Sequence, residues 1–390
     1  MKPEDTATTS PATQFTTKSG PIGGAILLAA LALPGVSRPA MAEAPPDQGE
    51  INVKYLDYRD WQPGFDRITV HSPSVEVLAP VAGDWSIQGS IVSDSISGAT
   101  PLYHSSISGA SSMQDHRIAQ DLTVTRYFSQ GTLSLGGAHS GEDDYQSRTE
   151  SLNGTLSTES KNTTFNFGIA FDNDVYNPRD HATENARIHS TSATIGVTQV
   201  FTQRDIAQFS LSHTSEEGYL SDPYKFIDFR PDERSENVVS VRWNHHFDAT
   251  EGTLRLGYRY YSDTWQVRSH TLDAEYVQPL PQGWTVTPDV RLYSQSAAFF
   301  YVNPVYDPNV GPPFPLGYVF GNSVSEDPRL SAFGAATLGL KIEKTFARDF
   351  KLSLKVDNYE QRGNWALGSG SPGLATFYAR FVEVGISKRW

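Results

Sequence analysis

The stretch from Thr376 to Trp390 constrains the fold more than any other. Taken by twos backwards from Trp390, one set reads Trp390, Lys388, Ile386, Val384, Val382, Arg380 and Tyr378. The alternate set reads Arg389, Ser387, Gly385, Glu383, Phe381, Ala379 and Phe377. A period of two marks an extended strand with unlike faces. Such a strand has two homes: the edge of a soluble sandwich, or the wall of a membrane barrel with lipid on one side and a lumen on the other.

The rest of the chain decides between them. From Glu50 onward no helical period appears, only alternating segments at 51–60, 66–79, 84–97, 115–128, 131–141, 145–158, 162–176, 187–201, 205–219, 234–247, 252–266, 268–279, 283–301, 329–346, 350–361 and 376–390. Short Gly, Asp or Asn hairpin signals lie at 82–84, 128–131, 160–162, 201–205, 247–252, 280–283 and 346–349. Phe128, Phe201, Phe247 and Phe346 stand at four of them, as an aromatic girdle requires. An even strand number puts both ends and all these tight turns on one side, and the long connections 98–114, 177–186, 220–233, 302–328 and 362–375 on the other. The expected fold is all-β: one antiparallel transmembrane barrel of about 16 strands (14 to 18), with short periplasmic turns and long extracellular loops. The range reflects weak joins near 61–65 and at Val267. A terminal strand closing on an aromatic residue also resembles the signal by which outer-membrane barrels are recognised for insertion. Lys388 departs from it, standing where an apolar residue or Tyr is usual.

Composition agrees. Lys18, the apolar run Ile22–Leu33, the Pro34-Gly35 break and Ala40-Met41-Ala42 read as a secretory signal cleaved after Ala42. The expected organisation is a signal at 1–42, a short segment at 43–50 and a barrel at 51–390. The net charge of −13 excludes a nucleic-acid partner, which needs a concentrated basic face. Absence of Cys excludes a thiolate metal site, a disulfide framework and a cysteine nucleophile. Mean hydropathy is negative, as expected when only every second wall residue meets lipid.

Within strands the faces separate. Leu254, Leu256, Tyr258 and Tyr260 oppose Arg255, Gly257, Arg259, Tyr261 and Asp263; Val239, Val241, Trp243 and His245 oppose Ser240, Arg242, Asn244 and His246. The lumen is thereby expected to carry Arg242, Arg255, Arg259, Arg291, Lys341, Lys351 and Lys355 among Asp263, Asp357 and Glu383. Two readings follow. Basic groups facing acidic ones across a water column would select solutes by charge, or the charges pair and fill the lumen. The 302–328 connection, with Pro304, Pro308, Pro312, Pro313, Pro315 and Pro328 among aromatics, is either an inward constriction, an outer docking surface or a structural lid.

Acidic groups gather at Glu142, Asp143, Asp144, Asp172, Asp174 and Asp180. Carboxylates at this density suit Ca²⁺ or Mg²⁺, but the spacing matches no EF-hand loop and acidic loops are commonly just solvated, so no metal is expected. His245 and His246 point to opposite faces of a strand and cannot share a site. No HExxH, CxxC or GxSxG element is present, and neither a cofactor nor catalysis is expected.

Several stretches together resemble the uncharacterised outer-membrane proteins of domain-of-unknown-function family 3570. They are Asp94–Pro101, Glu142–Arg148, Gly218–Lys225 with Arg230–Arg234, Tyr258–Tyr261, Arg291–Gln295 and Asp327–Ser331. The resemblance implies a barrel in the bacterial outer membrane, surrounded by lipid and inserted by the barrel machinery, with periplasmic or lipoprotein partners that are redox- or flavin-linked. It implies no activity. Physically these stretches sit at outward strand ends. Asp94, Glu142, Asp143, Asp144, Asp222, Pro223 and Arg230 are expected to form an ordered outer mouth, with Asp222 and Arg230 pairing back onto the wall. The function expected is a pore for small polar or charged solutes, or else a non-conducting scaffold for envelope partners.

Overall fold

The computed structural model describes residues 44–98, 113–177, 185–222, 227–303, 316, 318–319, 321–347 and 349–390. The signal at 1–42, Pro223 and Asp180 lie outside them. The strands are β1 (Glu50–Gln62), β2 (Phe65–Val81), β3 (Trp85–Gly98), β4 (Met113–Phe128), β5 (Gly131–Gly141) and β6 (Tyr145–Ser157). Then come β7 (Thr163–Tyr176), β8 (Ala186–Val200), β9 (Asp205–Gly218), β10 (Asp228–Phe229), β11 (Glu233–Phe247) and β12 (Gly252–Asp263). The last six are β13 (Arg268–Leu280), β14 (Trp284–Gln295), β15 (Val324–Ser325), β16 (Phe333–Ala347), β17 (Phe350–Arg362) and β18 (Phe377–Arg389). All but β10 and β15 pair antiparallel with their neighbours and close into one barrel of sixteen described strands. β10 and β15 pair with each other in a separate two-stranded sheet, and Ser325 of β15 also bridges to Tyr301.

Closure falls where the C-terminal pattern put it. β18 pairs with β1 from Glu50↔Arg389 to Trp61↔Tyr378, so every backbone group of the seam is satisfied, as hydrocarbon demands. Gly49 and Trp390 exchange two backbone hydrogen bonds of 3.1 Å just beyond it. The three-residue turn after β2, closed by the Val81↔Trp85 pair, places Ala82 (φ 49°) and Gly83 (φ 76°) in the left-handed region, as tight hairpin turns require.

Alternation sorts the faces. Leu135, Leu338, Ile195, Leu122 and Val384 are exposed outwards, whereas Tyr58, Val70 and Phe381 on the opposite parity are sealed inside. Phe128, Phe201, Phe247, Phe346, Trp284 and Trp390 are exposed at the tight-turn end. Their cations sit over them: Lys344 lies 5.0 Å from the Trp284 ring and Arg126 lies 5.1 Å from Trp85. That is an interfacial girdle with amines reaching toward headgroups.

The sequence boundaries hold except at the outer rim. The strands expected at 252–266, 283–301 and 329–346 stop at Asp263, stop at Gln295 and start at Phe333. The alternating residues beyond those points leave the wall and fold over the mouth. Gln266 at φ 68° turns the chain so that Trp265 and Val267 point into a core instead of to lipid. The weak joins at 61–65 and Val267 are tight outer turns, which keeps both flanking strands in the wall.

Candidate functional site, the lumen and its outer cap

In the periplasmic half, charge partners are set by register. Arg255 lies directly opposite Glu275, and Asp273 opposite Arg291, on one face of adjacent strands. The ion pairs measure 3.2 Å for Arg255–Glu275 and 2.5 Å for Arg291–Asp273. Glu343 receives both Lys341 and Lys351 at 3.1 Å. Lys54 of β1 reaches Glu383 of β18 across the seam at 3.4 Å. Lys355 reaches Asp357 at 3.1 Å and Asp289 at 3.6 Å. Gly339 stands between those two aspartates in register, and its missing side chain leaves the space their carboxylates occupy.

These side chains remain wet, with 44% of Lys54, 33% of Arg255 and 34% of Lys355 exposed. The pairs run along the wall between neighbouring strands, so the expected ladder facing its counter-charges across the lumen is replaced by a mosaic. Arg259 is different: it is held over the Tyr261 ring at 5.6 Å. Arg242 also faces the lumen, on the parity opposite to the exposed Val241 and Trp243.

The outer half is dry at its centre, around Arg230, Asp228 and Asp327, while Arg329 at the edge keeps 28% of its side chain exposed. Two segments, described at 219–222 with 227–232 and at 296–303 with 321–332, carry β10 and β15 and form a cap. Arg230, with 1% of its side chain exposed, donates to Asp228 at 2.6 and 3.0 Å and to Asp327 at 2.8 Å. Arg329 donates to Asp327 at 2.8 Å and to Asp222 at 3.1 Å. Ser325 donates to Asp228 at 2.5 Å and accepts from the Asp327 amide at 3.0 Å. Asp222 and Arg230 therefore do not pair back onto the wall as expected. Each binds the other cap segment, clamping two loops together.

Beneath this clamp is an apolar layer. Leu220, Ala298, Phe300 and Leu330 of the cap pack on Ile188, Tyr261, Trp265 and Val267 of the wall and its turn. Trp265 and Phe300 meet edge-on at 5.1 Å, and Arg234 lies 4.3 Å over Trp265. Asp263, expected as an open lumen residue, is enclosed here. It accepts from Arg234 at 2.6 Å, from the Tyr261 hydroxyl at 2.8 Å and from the Val267 amide at 2.8 Å.

The other outer wall sectors are sealed by two further chemistries. On β1, β2 and β18, Tyr58, Ile68, Val70, Phe377, Ala379 and Phe381 form an inward apolar cluster, with Tyr58 donating to Asp60 at 2.8 Å. On β6 to β9 the buried inward row is polar, with Tyr145 donating to Asp174 and Thr149 to Asp172, both at 2.5 Å. Asp94, expected in the outer mouth at the end of the 84–97 strand, is a β3 wall residue bound by Arg117 at 2.8 Å. Among the described residues, no three His, Asp or Glu side chains are placed to share a metal ion.

Burial sets the electrostatics of the cap. It pushes the Asp228 carboxyl up, and Arg230 pulls it part of the way back. Burial also opposes the charge on Arg230, but Asp228 and Asp327 outweigh it and hold its pKa above the ordinary value. Glu326 has no such compensation. Its Oε1 has no hydrogen-bond partner, and burial pushes its pKa up to about 7.

Asp228, Arg234 and the pairing role of Asp327 and Arg329 are not among the site residues expected from the sequence. Two signals pointed at them: an Asp-Pro-Arg run at 327–329 and a basic residue flanked by acids at 228–232, both inside loops too long to be plain connections.

No curated protein matches the chain in sequence. Among solved structures it is similar to a bacterial polysaccharide outer membrane secretin, with TM-score 0.51 and 9% identity over 88% of this chain and 98% of that one. It is also similar to the Pseudomonas putida toluene transporter TodX, with TM-score 0.44 and 10% identity over 91% of this chain and 93% of that one. The first likeness supports the barrel fold, which with its girdle and closed seam places the protein in the bacterial outer membrane. The profile of the family described as "Protein of unknown function (DUF3570)" matches residues 103–380, and the chain belongs to that family.

Proposed function

We propose that the protein is a gated pore for small polar or charged solutes, with the cap built on 227–232 and 321–332 as its outer gate. One contrast carries this reading: the same barrel wall is wet and charged toward the periplasm and dry and clamped at the mouth. A lumen lined by Arg255, Lys341, Lys351, Lys355 and their carboxylates is costly to build unless water enters it, because unpaired or half-solvated charge is tolerated only near solvent. The two gate segments are joined to each other by ion pairs and the short β10–β15 ladder, outside the strand pairing that closes the barrel. No chemical step is part of this reading; the lumen acts by size and charge.

A second reading, a non-conducting scaffold for periplasmic or lipoprotein partners, is supported by the pairing of the lumen charges along the wall, which needs no passing solute. Liposome swelling separates the two. Vesicles carrying the barrel with 302–328 shortened should admit small zwitterions and sugars faster than vesicles carrying the full chain. Equal impermeability of both would favour the scaffold.

A further inference from the structure

On the outward wall, β2 to β6 carry a notch of about 720 Å³. Gly89 and Gly137 form its floor, between the exposed Ile91, Leu122 and Leu135. A Cβ on Gly137 would meet nothing nearer than 4.0 Å, so the floor is open there, whereas one on Gly89 would meet the Asp121 carbonyl at 3.2 Å. Gln120, His139 and Arg148 are register partners in one row across its top, and Glu150 stands two residues below Arg148 on the same face. Arg148 and Glu150 are exposed.

Their height makes this unusual. Arg148 and Glu150 lie nine and seven residues above the end of β6 at Ser157. A tilted strand rises about 2.5 Å per residue, which puts both within the upper part of an apolar band about 25 Å tall. Several outward polar groups at comparable height elsewhere on the wall are neutralised locally. Arg59 binds Asp57 at 3.1 Å, Arg380 binds Asn358 at 3.0 Å and Tyr258 meets His270 at 2.8 Å. Among the described residues, Arg148 and Glu150 make no hydrogen bond or ion pair with each other or with a neighbour.

We infer that this notch is a self-association surface. Copies in one membrane stand the same way up, so a two-fold axis must run along the membrane normal and each residue meets the partner copy at its own height. Arg148 and Glu150 differ in height by about one residue pair of the strand, within reach of an arginine side chain. Each would then face its opposite in the other copy, and the glycine floor would let the two walls approach. An acidic lipid phosphate is the competing occupant for Arg148, but Glu150 beside it would repel one. The inference does not depend on whether the lumen conducts.

Native mass spectrometry and chemical crosslinking of the mature protein in nanodiscs test it. The wild type should be dimeric. R148E and E150R should each weaken association by about tenfold or more, since like charges then face across the axis. The swap R148E/E150R should restore it to within about threefold. The neutral pair R148Q and E150Q should fall between, which covers a charge reversal that inserts poorly. A wild type that stays monomeric at micromolar concentration, or a swap as weak as either single variant, would overturn the assignment. So would retained phosphate-bearing lipid that is lost in R148E and does not return in the swap.

Discussion

Along β12 the change happens within a few residues. Arg255 pairs with Glu275 while a third of its side chain stays in water; Tyr261, further up the same face, is 1% exposed, and the Asp263 side chain is fully enclosed. Both places use arginine and carboxylate. In the periplasmic half a lost partner is replaced by solvent, so each pair contributes little. In the cap nothing replaces it, and the same chemistry becomes a clamp. Placement in the dry or the wet storey, more than residue type, determines which charges hold the molecule shut.

The largest test of that contrast is Arg230→Ala. It strands Asp228, leaves Asp327 with Arg329 as its remaining cation, and should cost the cap about 3 to 5 kcal/mol, the usual penalty for an uncompensated buried charge. Hydrogen exchange and limited proteolysis should show 219–232 and 296–332 opening while the wall stays protected. If the cap keeps its protection, the clamp is not what closes it.

Next is Leu330→Ala, which removes a 0% exposed side chain from the layer under the clamp. A loss of about 2 to 5 kcal/mol in cap stability is expected from lost burial and the cavity left behind. The same exchange measurement should find the apolar layer and the ion clamp failing together, because they tie the same two segments.

A pH effect of intermediate size should come from Glu326. Its pKa in the closed cap is about 7, against 4.5 for the ordinary group, so the closed form binds the proton more tightly than the open one. Cap stability from this group is fully present below pH about 4.5 and is lost as pH rises through about 7. Asp327 beside it and the Tyr301 hydroxyl, also without a hydrogen-bond partner, add no positive charge to offset the ionised form. Glu326→Gln should flatten the dependence of loop protection on pH; an unchanged slope would assign the dependence to another group, such as Asp228.

The smallest stability effect belongs to the wet storey. Lys355→Ala should change barrel stability by about 1 kcal/mol or less, because its pairs with Asp357 and Asp289 are partly solvated. A change as large as that of Arg230→Ala in the same unfolding experiment would abolish the distinction between the two halves.

The wall was legible because a period of two is local. Val384 and Ile386 outward, Phe377 and Phe381 inward, and the Phe residues at the tight turns can be read without knowing any partner strand. The cap was not. Arg230 binds Asp327, which is 97 residues away, and Arg329 binds Asp222, 107 away. No spacing rule links such pairs. Ala298, Phe299 and Phe300 misled for a related reason: apolar residues after a strand read as more strand whether they meet lipid or, as Ala298 and Phe300 do, a loop core. The lumen face of Arg255, Lys341 and Lys355 could be read, but their partners required the register.

Single-channel conductance of the mature protein in planar bilayers, wild type beside Arg230→Ala, tests the gate most directly. The account predicts a wild type that is closed or rarely open, and an Arg230→Ala barrel with stable current whose ion selectivity shifts when Arg255→Glu and Arg259→Glu are added. Silence from Arg230→Ala, with exchange data showing its cap released, would contradict the account and mean that the barrel is filled below the gate.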